Sequence, residues 1–487
     1  MNRILLQPTD VLFFRDGRPM TGSHAGHTAA WPLPDITNHA FHAALHRAGL
    51  NDVHAHDHIK RGNNRTGPAA RKFGCLLTAG PYPARIGDNG SRDWFFPRPK
   101  DSTVAGSVAV TLFPTDNGNC WDNTQRWSGS NLPAPLIYAI ANALPPTKES
   151  GGEPWMNRPA YEAYLQGRAT NDKCAFARDE DIADQEAYLG IAIDPATQTT
   201  GRGVAAGKIY TAHYLRLREE WRLGVFAEAM DKLESKPDQR RDLISTLFAS
   251  GSNRILVGGQ QRVCTATVLP NNNEPIPLPL GLMNPGDFRQ LPHGKYAVKW
   301  VLLSPAIWPE IPAGISRRGT VRQHHPGGWL PNWICPRTGA VLLRVVPEEE
   351  RRRRRSINYG GKGYDGTHNS QPIHARLVAA LVPKPLIVTG WALASGDDPQ
   401  DNGGAKSTHL AVAPGAVYYF EADTPADAEA LASALNWHGK TNGTEIKNRR
   451  STLLGEKGYG LGVCGTWQHQ QPTSGNVPDT ATNRKNQ

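Results

Sequence analysis

The chain has 487 residues, 39% hydrophobic and 20% charged, and its 49 glycines and 39 prolines imply many loops. That composition excludes a coiled coil and a chain too polar to bury a core, and at about 100–200 residues per domain it predicts two to four domains. Lys+Arg (54) exceed Asp+Glu (44) to give a net charge of +10, a field that favours RNA, DNA or an acidic membrane surface without choosing among them.

Ile4 to Leu6 and Val11 to Phe14 read as strand, interrupted by Pro8, and Arg15-Asp16-Gly17-Arg18-Pro19 as the turn after it. Pro34-Asp35 opens an amphipathic helix to Ala48, with Ile36, Ala40, Phe41, Ala44 and Leu45 on its inner face. After the basic stretch Asp52–Lys72, strand patterns recur at Gly74–Ala79, Trp94–Phe96, Leu189–Ile193, Ile209–Leu217 and Ile255–Val257, and residues 225–250 read as helix. A second half starts near Pro285. Its strands are expected at Tyr296–Leu303, Ala340–Val346, Pro385–Gly390 and Val417–Glu421, with a helix over Ala426–Trp437 capped by Thr424 and opened by Pro425. The polar end, Gln468–Gln487, is expected to be disordered. Strand–helix–strand pieces in both halves predict an α+β fold with two domains.

No window approaches about 18–20 continuous apolar residues, so no membrane span is expected. The start, MNRILLQPTDVLFF, has no small-residue cleavage site, so no signal peptide is expected. Cys75, Cys120, Cys174, Cys264, Cys335 and Cys464 are scattered without a CxxC pair, which fits a reducing cytoplasm.

Several groups can carry binding. Lys60, Arg61, Arg65, Arg71 and Lys72 are spaced by glycine and asparagine, as either a phosphate-contacting loop or a solvated insertion. Glu348–Glu350 precede Arg351–Arg355, which either neutralise each other in a hinge or turn the arginines to a polyanion. Tyr359, Lys362 and Tyr364 follow among glycines, a composition suited to base stacking. His39, His42 and His46 share the first helix; His54, His56 and His58 follow, and His54, Asp57 and His58 carry metal-competent donors without a fixed geometry. A histidine general base for RNA cleavage is the enzymatic alternative, with no second catalytic group beside it in the pattern. The run Gly455–Gly465 (GEKGYGLGVCG) has no Walker Lys-Ser/Thr and no following helix. Its glycines permit close approach of a backbone, either protein strand or RNA phosphate, beside Lys457 and Tyr459.

The opening QPTDVLFFRDGRPM resembles the signature of one CRISPR-associated family, the RAMP (repeat-associated mysterious protein) subunit numbered three in the Cmr effector complex of type III-B systems. Further blocks follow in that family's order: Trp94–Pro99, Leu189–Asp194, Gly207–Tyr210, Leu256–Arg262, Leu302–Ala306, Gly390-Trp391, Ala413–Phe420 and Lys457–Gly462. The resemblance spans residues 7 to about 466. It implies two ferredoxin-like (RRM-related) RAMP domains with long loops and insertions: 1–285, and 286–467 with a basic insertion near 312–372.

It also implies a non-catalytic RNA-binding subunit that holds the 5′ handle of the CRISPR RNA, with no cofactor and no metal. Its partners would be the large polymerase/cyclase-like subunit and the backbone RAMP subunits, and it would meet target RNA indirectly. The alternative within the same class is a RAMP-type endoribonuclease that processes precursor CRISPR RNA. The candidate RNA-binding residues are Arg15, Arg18, Lys60, Arg61, Arg65, Arg71, Lys72, Arg262, Lys457, Gly458, Tyr459 and Gly460. Arg15 and Arg18 supply planar forks that match phosphate oxygens. His39 and His42 stand where the family's first helix carries glycine and arginine, which is a departure from its pattern.

Overall fold

The computed structural model describes residues 1–14, 25–26, 31–50, 75–105, 108–115, 132–141, 153–168, 172–194, 196–200, 209–230, 241–270, 274–315, 321–345, 370–392 and 404–470. In the first half these form β1 (Asn2–Pro8), α1 (Pro34–Arg47), β2 (Leu76–Ile86), β3 (Arg92–Pro97), β4 (Trp155–Asn157), α2 (Arg158–Leu165) and β5 (Phe176–Ala177). They continue with β6 (Ala183–Ile191), β7 (Ile209–Leu217), β8 (Trp221–Ala229), α3 (Leu243–Leu247), β9 (Ser252–Leu256) and β10 (Val263–Val268). An eight-stranded sheet runs β5-β4-β3-β2-β8-β1-β10-β9, while β6 and β7 belong to a separate three-stranded sheet completed by Ala25–Gly26. The second half builds a four-stranded sheet from β11 (Tyr296–Leu302), β12 (Ala375–Leu381), β13 (Val417–Ala422) and β14 (Gly462–Gly465), with α4 (Pro425–Leu435) before the last strand. Its order is β12-β13-β11-β14.

The middle of the first sheet and the whole of the second repeat one arrangement. Counted along the chain, each places its second, third, first and fourth strands side by side, with antiparallel pairing between all neighbours. Helix α1 connects the first pair in the first half; α3 and α4 precede the fourth strand in their halves.

Alternation along the strands decides the layers. Ile4, Leu6, Leu223, Val225 and Ala227 meet Phe41 and Leu45 of α1 and Leu243 and Ile244 of α3. The opposite face of that sheet, with Leu5, Tyr82, Trp94 and Phe226, shares a core with Val301, Tyr419 and Val463 of the second sheet. Trp300, Leu302, Tyr418 and Phe420 on the far side pack under Leu431 and Leu435 of α4. The order is helix, sheet, sheet, helix. Between the sheets lies a polar knot: buried Asp101 accepts from Tyr164 Oη at 2.5 Å and Tyr419 Oη at 2.8 Å. Lys299 Nζ lies 3.8 Å from the same carboxylate and 3.5 Å from the Tyr164 ring centre. Burial pushes that ammonium down to about 8.

Several expectations need correction. Residues 225–250 are not one helix: 221–229 form the central strand β8, and the described helix there is only Leu243–Leu247. A central strand buried on both faces loses its alternation and reads as a plain apolar run. Among the described residues of Ala340–Val346, only Arg344 and Val345 form a strand, paired with Gln371 and Pro372. Within the stretch 312–372, Leu330, Ile334 and Val341 are buried in the second half's core. Gln468 to Gln470, expected in the disordered tail, are held: the Gln470 amide donates to Pro114 O at 2.9 Å. Helix α4 matches, with Thr424 Oγ1 accepting from the Asp427 amide at 3.1 Å. Among the described residues no helix is long and apolar enough to cross a membrane.

Candidate nucleic-acid interface

Strands β6 and β7 pair over their full length, from Ala183 opposite Leu217 to Ile191 opposite Ile209. This hairpin stands clear of the main sheet, for Tyr188 is 52% exposed, Leu189 68% and Ile191 51%. Strand β7 also receives two returns of the N-terminal chain. Leu12 bridges to Leu215, and Ala25–Gly26 run parallel to Thr211–Ala212. Leu12 and Ala25 therefore meet a single strand at points four residues apart, or about 13 Å at the rise of a strand.

Tyr214 sits between those points. Its ring lies 5.5 Å from Phe13 and 5.1 Å edge-on from Tyr188. The Arg262 guanidinium covers the same ring at 5.0 Å, within the range of a cation–π contact. Asp10 bridges the cluster, 3.6 Å from Arg262 Nη1 and 2.9 Å from Arg216 Nη1. Arg216 also donates to Glu186 across the hairpin.

The loop that presents Arg262 has a defined cause. Gly258 has φ +80°, and a Cβ there would meet Phe13 O at 2.5 Å and the Phe14 ring at 3.0 Å. The Gly259 amide donates to Phe13 O at 2.9 Å, and Val257 N to Arg262 O at 2.8 Å. Gln260 and Gln261 both take left-handed backbone, φ 55° and 54°, and Gln260 Oε1 accepts from Tyr214 Oη at 2.7 Å. The sequence block Leu256–Arg262 is thus a tight turn clamped on Phe13.

The glycine ribbon lies elsewhere, at the N-terminal end of α1. Gly458 and Gly460 have positive φ; a Cβ at Gly460 would meet Ser451 N at 2.0 Å and one at Gly458 would meet Thr78 O at 3.0 Å. Their close approach is to protein backbone. Tyr459 is fully buried and donates to Asp35 Oδ1 at 2.9 Å, so its ring is not offered for stacking, which corrects the sequence expectation for that residue. Lys457 reaches the surface, its Nζ 3.0 Å from Nε2 of exposed His39. Arg449 anchors the ribbon from beneath, donating to Thr78 O at 2.6 Å and Gly455 O at 3.0 Å, and burial pushes its guanidinium down to about 10.

Of the candidates named from sequence, Arg262 and Lys457 are described as surface cations, on separate surfaces. Arg15, Arg18, Lys60, Arg61, Arg65, Arg71 and Lys72 lie outside the described residues, as do His54, His56, His58, Arg351–Arg355, Tyr359, Lys362 and Tyr364. Sequence reading passed over Tyr188, Tyr214, Arg216 and Asp10. The signal available was a pair of nine-residue runs, 183–191 and 209–217, that mix polar and apolar residues on both alternating sets, unlike a strand lying on a core.

The repeated strand order and the helix–sheet–sheet–helix layering define an α+β protein. A family model described as CRISPR-associated protein (Cas_Cmr3) matches residues 4–467, nearly the whole chain. The chain belongs to this family. No curated protein matches it in sequence. Similar solved chains occur in the cryo-EM structure of the Type III-B Cmr-beta bound to cognate target RNA (14% identity, 86% of each chain covered, TM-score 0.34). Another occurs in the structure of Cmr-beta with cognate target RNA and AMPPnP, state 1 (12% identity, the same coverage and TM-score). Superpositions that loose locate no residue.

Proposed function

We propose that this chain is a non-catalytic, guide-RNA-binding subunit of a type III-B Cmr complex. It grips the 5′ handle of the CRISPR RNA and joins the large polymerase/cyclase-like subunit to the backbone RAMP subunits. Its two halves, 1–285 and 286–467, act as ferredoxin-like modules. The second-third-first-fourth strand order repeated in both halves supports that reading.

One observation carries the RNA assignment. Leu12 and Ala25–Gly26, the described residues on either side of the arginine block in the sequence, pair with β7, where the Arg262–Tyr214–Tyr188 cluster lies. Guanidinium groups neutralise phosphates, and exposed rings next to them stack bases without regard to sequence. The net charge of +10 favours the encounter.

Purifying the complex from its host and sequencing the RNA cross-linked to this chain tests the proposal. Short CRISPR RNAs sharing one 5′ end, cross-linked through peptides containing Arg262 or Tyr188, are the expected result. A mixed transcript population overturns it.

A second reading rests on a different contact. His39 and Lys457 stand 3.0 Å apart at the surface of α1, and an imidazole beside an ammonium is a proton acceptor next to an oxyanion stabiliser. In this reading the chain is a metal-independent endoribonuclease acting on precursor CRISPR RNA. Cleavage in EDTA that His39→Ala abolishes and Arg262→Ala retains favours it; no cleavage leaves the binding role.

A further inference from the structure

His293, Glu421 and His469 come from three separate segments of the chain, yet their ligand atoms all lie within 4.8 Å of one another. His293 occupies the tight turn entering β11, closed by Gly294 N to Leu291 O at 2.9 Å and Leu291 N to Lys295 O at 2.8 Å. Glu421 is on β13, and its Oε1 is 3.1 Å from His293 Nε2. His469 follows β14, where the Gln470–Pro114 backbone bond holds the chain beyond it.

The surroundings orient the donors. Tyr138 Oη donates to Glu421 Oε1 at 2.9 Å, the second-sphere contact that steadies a ligating carboxylate. Trp467 and Tyr138 stand edge-on to the His469 ring at 5.1 and 5.0 Å. Trp467 is itself fixed by its Nε1–H to Phe420 O, 3.1 Å. Tyr138 is fixed by its amide to Val378 O, 3.0 Å.

We propose that these three side chains bind one divalent transition-metal ion of the zinc or cobalt class. Two imidazoles and a single carboxylate are borderline donors, too nitrogen-rich for calcium or magnesium and lacking the thiolate that copper(I) favours. With bonds of about 2.0–2.2 Å, tetrahedral donors stand about 3.3–3.6 Å apart, so the 3.1 Å between His293 and Glu421 opens by a few tenths of an ångström and a turn of the His469 ring completes the set. Water takes the fourth position on the side where His293 is exposed. The ion ties the segment after the last strand to the entrance of β11 and to β13. It is a structural clip, and by mass action it stabilises the fold that holds it.

The test uses the full, tag-free chain stripped with EDTA and then titrated with cobalt(II) chloride, followed by visible d–d absorption. One equivalent is expected to bind, zinc to displace it, and zinc to raise Tm. His293→Asn, at an exposed position that leaves the core intact, is expected to remove the signal, as are Glu421→Gln and His469→Ala. Tyr138→Phe, which keeps all three ligands and removes only the hydroxyl bonded to Glu421, is expected to weaken binding about tenfold. His54→Ala/His58→Ala is expected to change nothing. The proposal is overturned if the wild-type chain takes up no cobalt, if His293→Asn binds it unchanged, or if the His54/His58 variant loses it; a hydrogen bond between the Glu421 carboxylate and the His293 imidazole then accounts for the cluster.

Discussion

The hydroxyl of Tyr459 donates to the carboxylate of Asp35 across 2.9 Å, and this bond joins a loop near the end of the chain to the first turn of α1. The ring above it is buried, and Pro34, Thr78 and Ala79 line the adjoining glycine. Burial next to the Asp35 charge drives the phenol far above its ordinary value, so it stays a donor at any working pH. Tyr459→Phe keeps the packing and loses the bond, at a cost of about 1.5 kcal/mol. Asp35→Ala is expected to cost more, because it strands the buried hydroxyl and removes an acid from the positive end of the helix. Urea denaturation of the two variants checks the order. If Asp35→Ala is the milder change, the bond does not hold the ribbon.

Gly460 sets a sharper limit. Its φ of +77° and the 2.0 Å approach of Ser451 N to a would-be Cβ mean that alanine forces the backbone apart. Gly460→Ala is expected to destabilise by about 3 kcal/mol. Gly286→Ala, with nothing within 4 Å, is the control and is expected to leave Tm unchanged. A similar Tm for the two variants removes the packing explanation for the glycine ribbon.

Where local pattern and tertiary position agree, the chain is readable. Thr424-Pro425 announces its helix because a side-chain cap and a pre-set φ act within four residues, and Pro34-Asp35 does so through the pre-set φ and an acid in the first turn, without a side-chain cap at Leu33. Strand β8 is unreadable for the opposite reason: Gly224–Ala229 is buried from both sides by α1, α3 and the second sheet, none of them encoded nearby. At the candidate site the sequence names Arg262, but the ring it covers lies on a strand far earlier in the chain, and only pairing of Leu12 with Leu215 brings the arginine block's flank there. Tyr459 misleads because a glycine-flanked aromatic has the same spelling whether its ring faces RNA or a core.

Lys299 makes a prediction about pH. Its folded pKa of about 8 lies below the ordinary lysine value near 10.5, with burial as the main cause and Asp101 opposing. Between those two values the unfolded chain holds a proton that the folded chain has released, so raising pH favours folding, by up to about 1.4 kcal/mol per pH unit. Below pH 8 both states are protonated and the contribution is flat. The buried thiols of Cys264 and Cys464, raised by burial, act in the opposite sense above pH 9. Wild type minus Lys299→Met isolates the lysine: the difference in unfolding free energy is expected to rise from pH 8 to 10. A constant difference means that Lys299 is solvated.

The cluster on β7 separates charge from stacking. Each phosphate neutralised on a single strand contributes a salt slope of about −0.7. Arg262→Ala is expected to reduce the slope by that amount on handle-bearing RNA, because the guanidinium over Tyr214 is held at the surface, with the Asp10 carboxylate 3.6 Å away and Gln260 Oε1 at 3.4 Å. Tyr188→Ala removes an exposed ring that carries no charge; it is expected to weaken binding by about 1–3 kcal/mol and leave the slope alone. Lys457→Ala, at the far end of a helix about 21 Å long, changes the slope only if the RNA also crosses the ribbon. Fluorescence anisotropy across a potassium chloride series reads all three variants. If Tyr188→Ala changes the slope as Arg262→Ala does, the hairpin meets the RNA through its charges and the rings serve the fold.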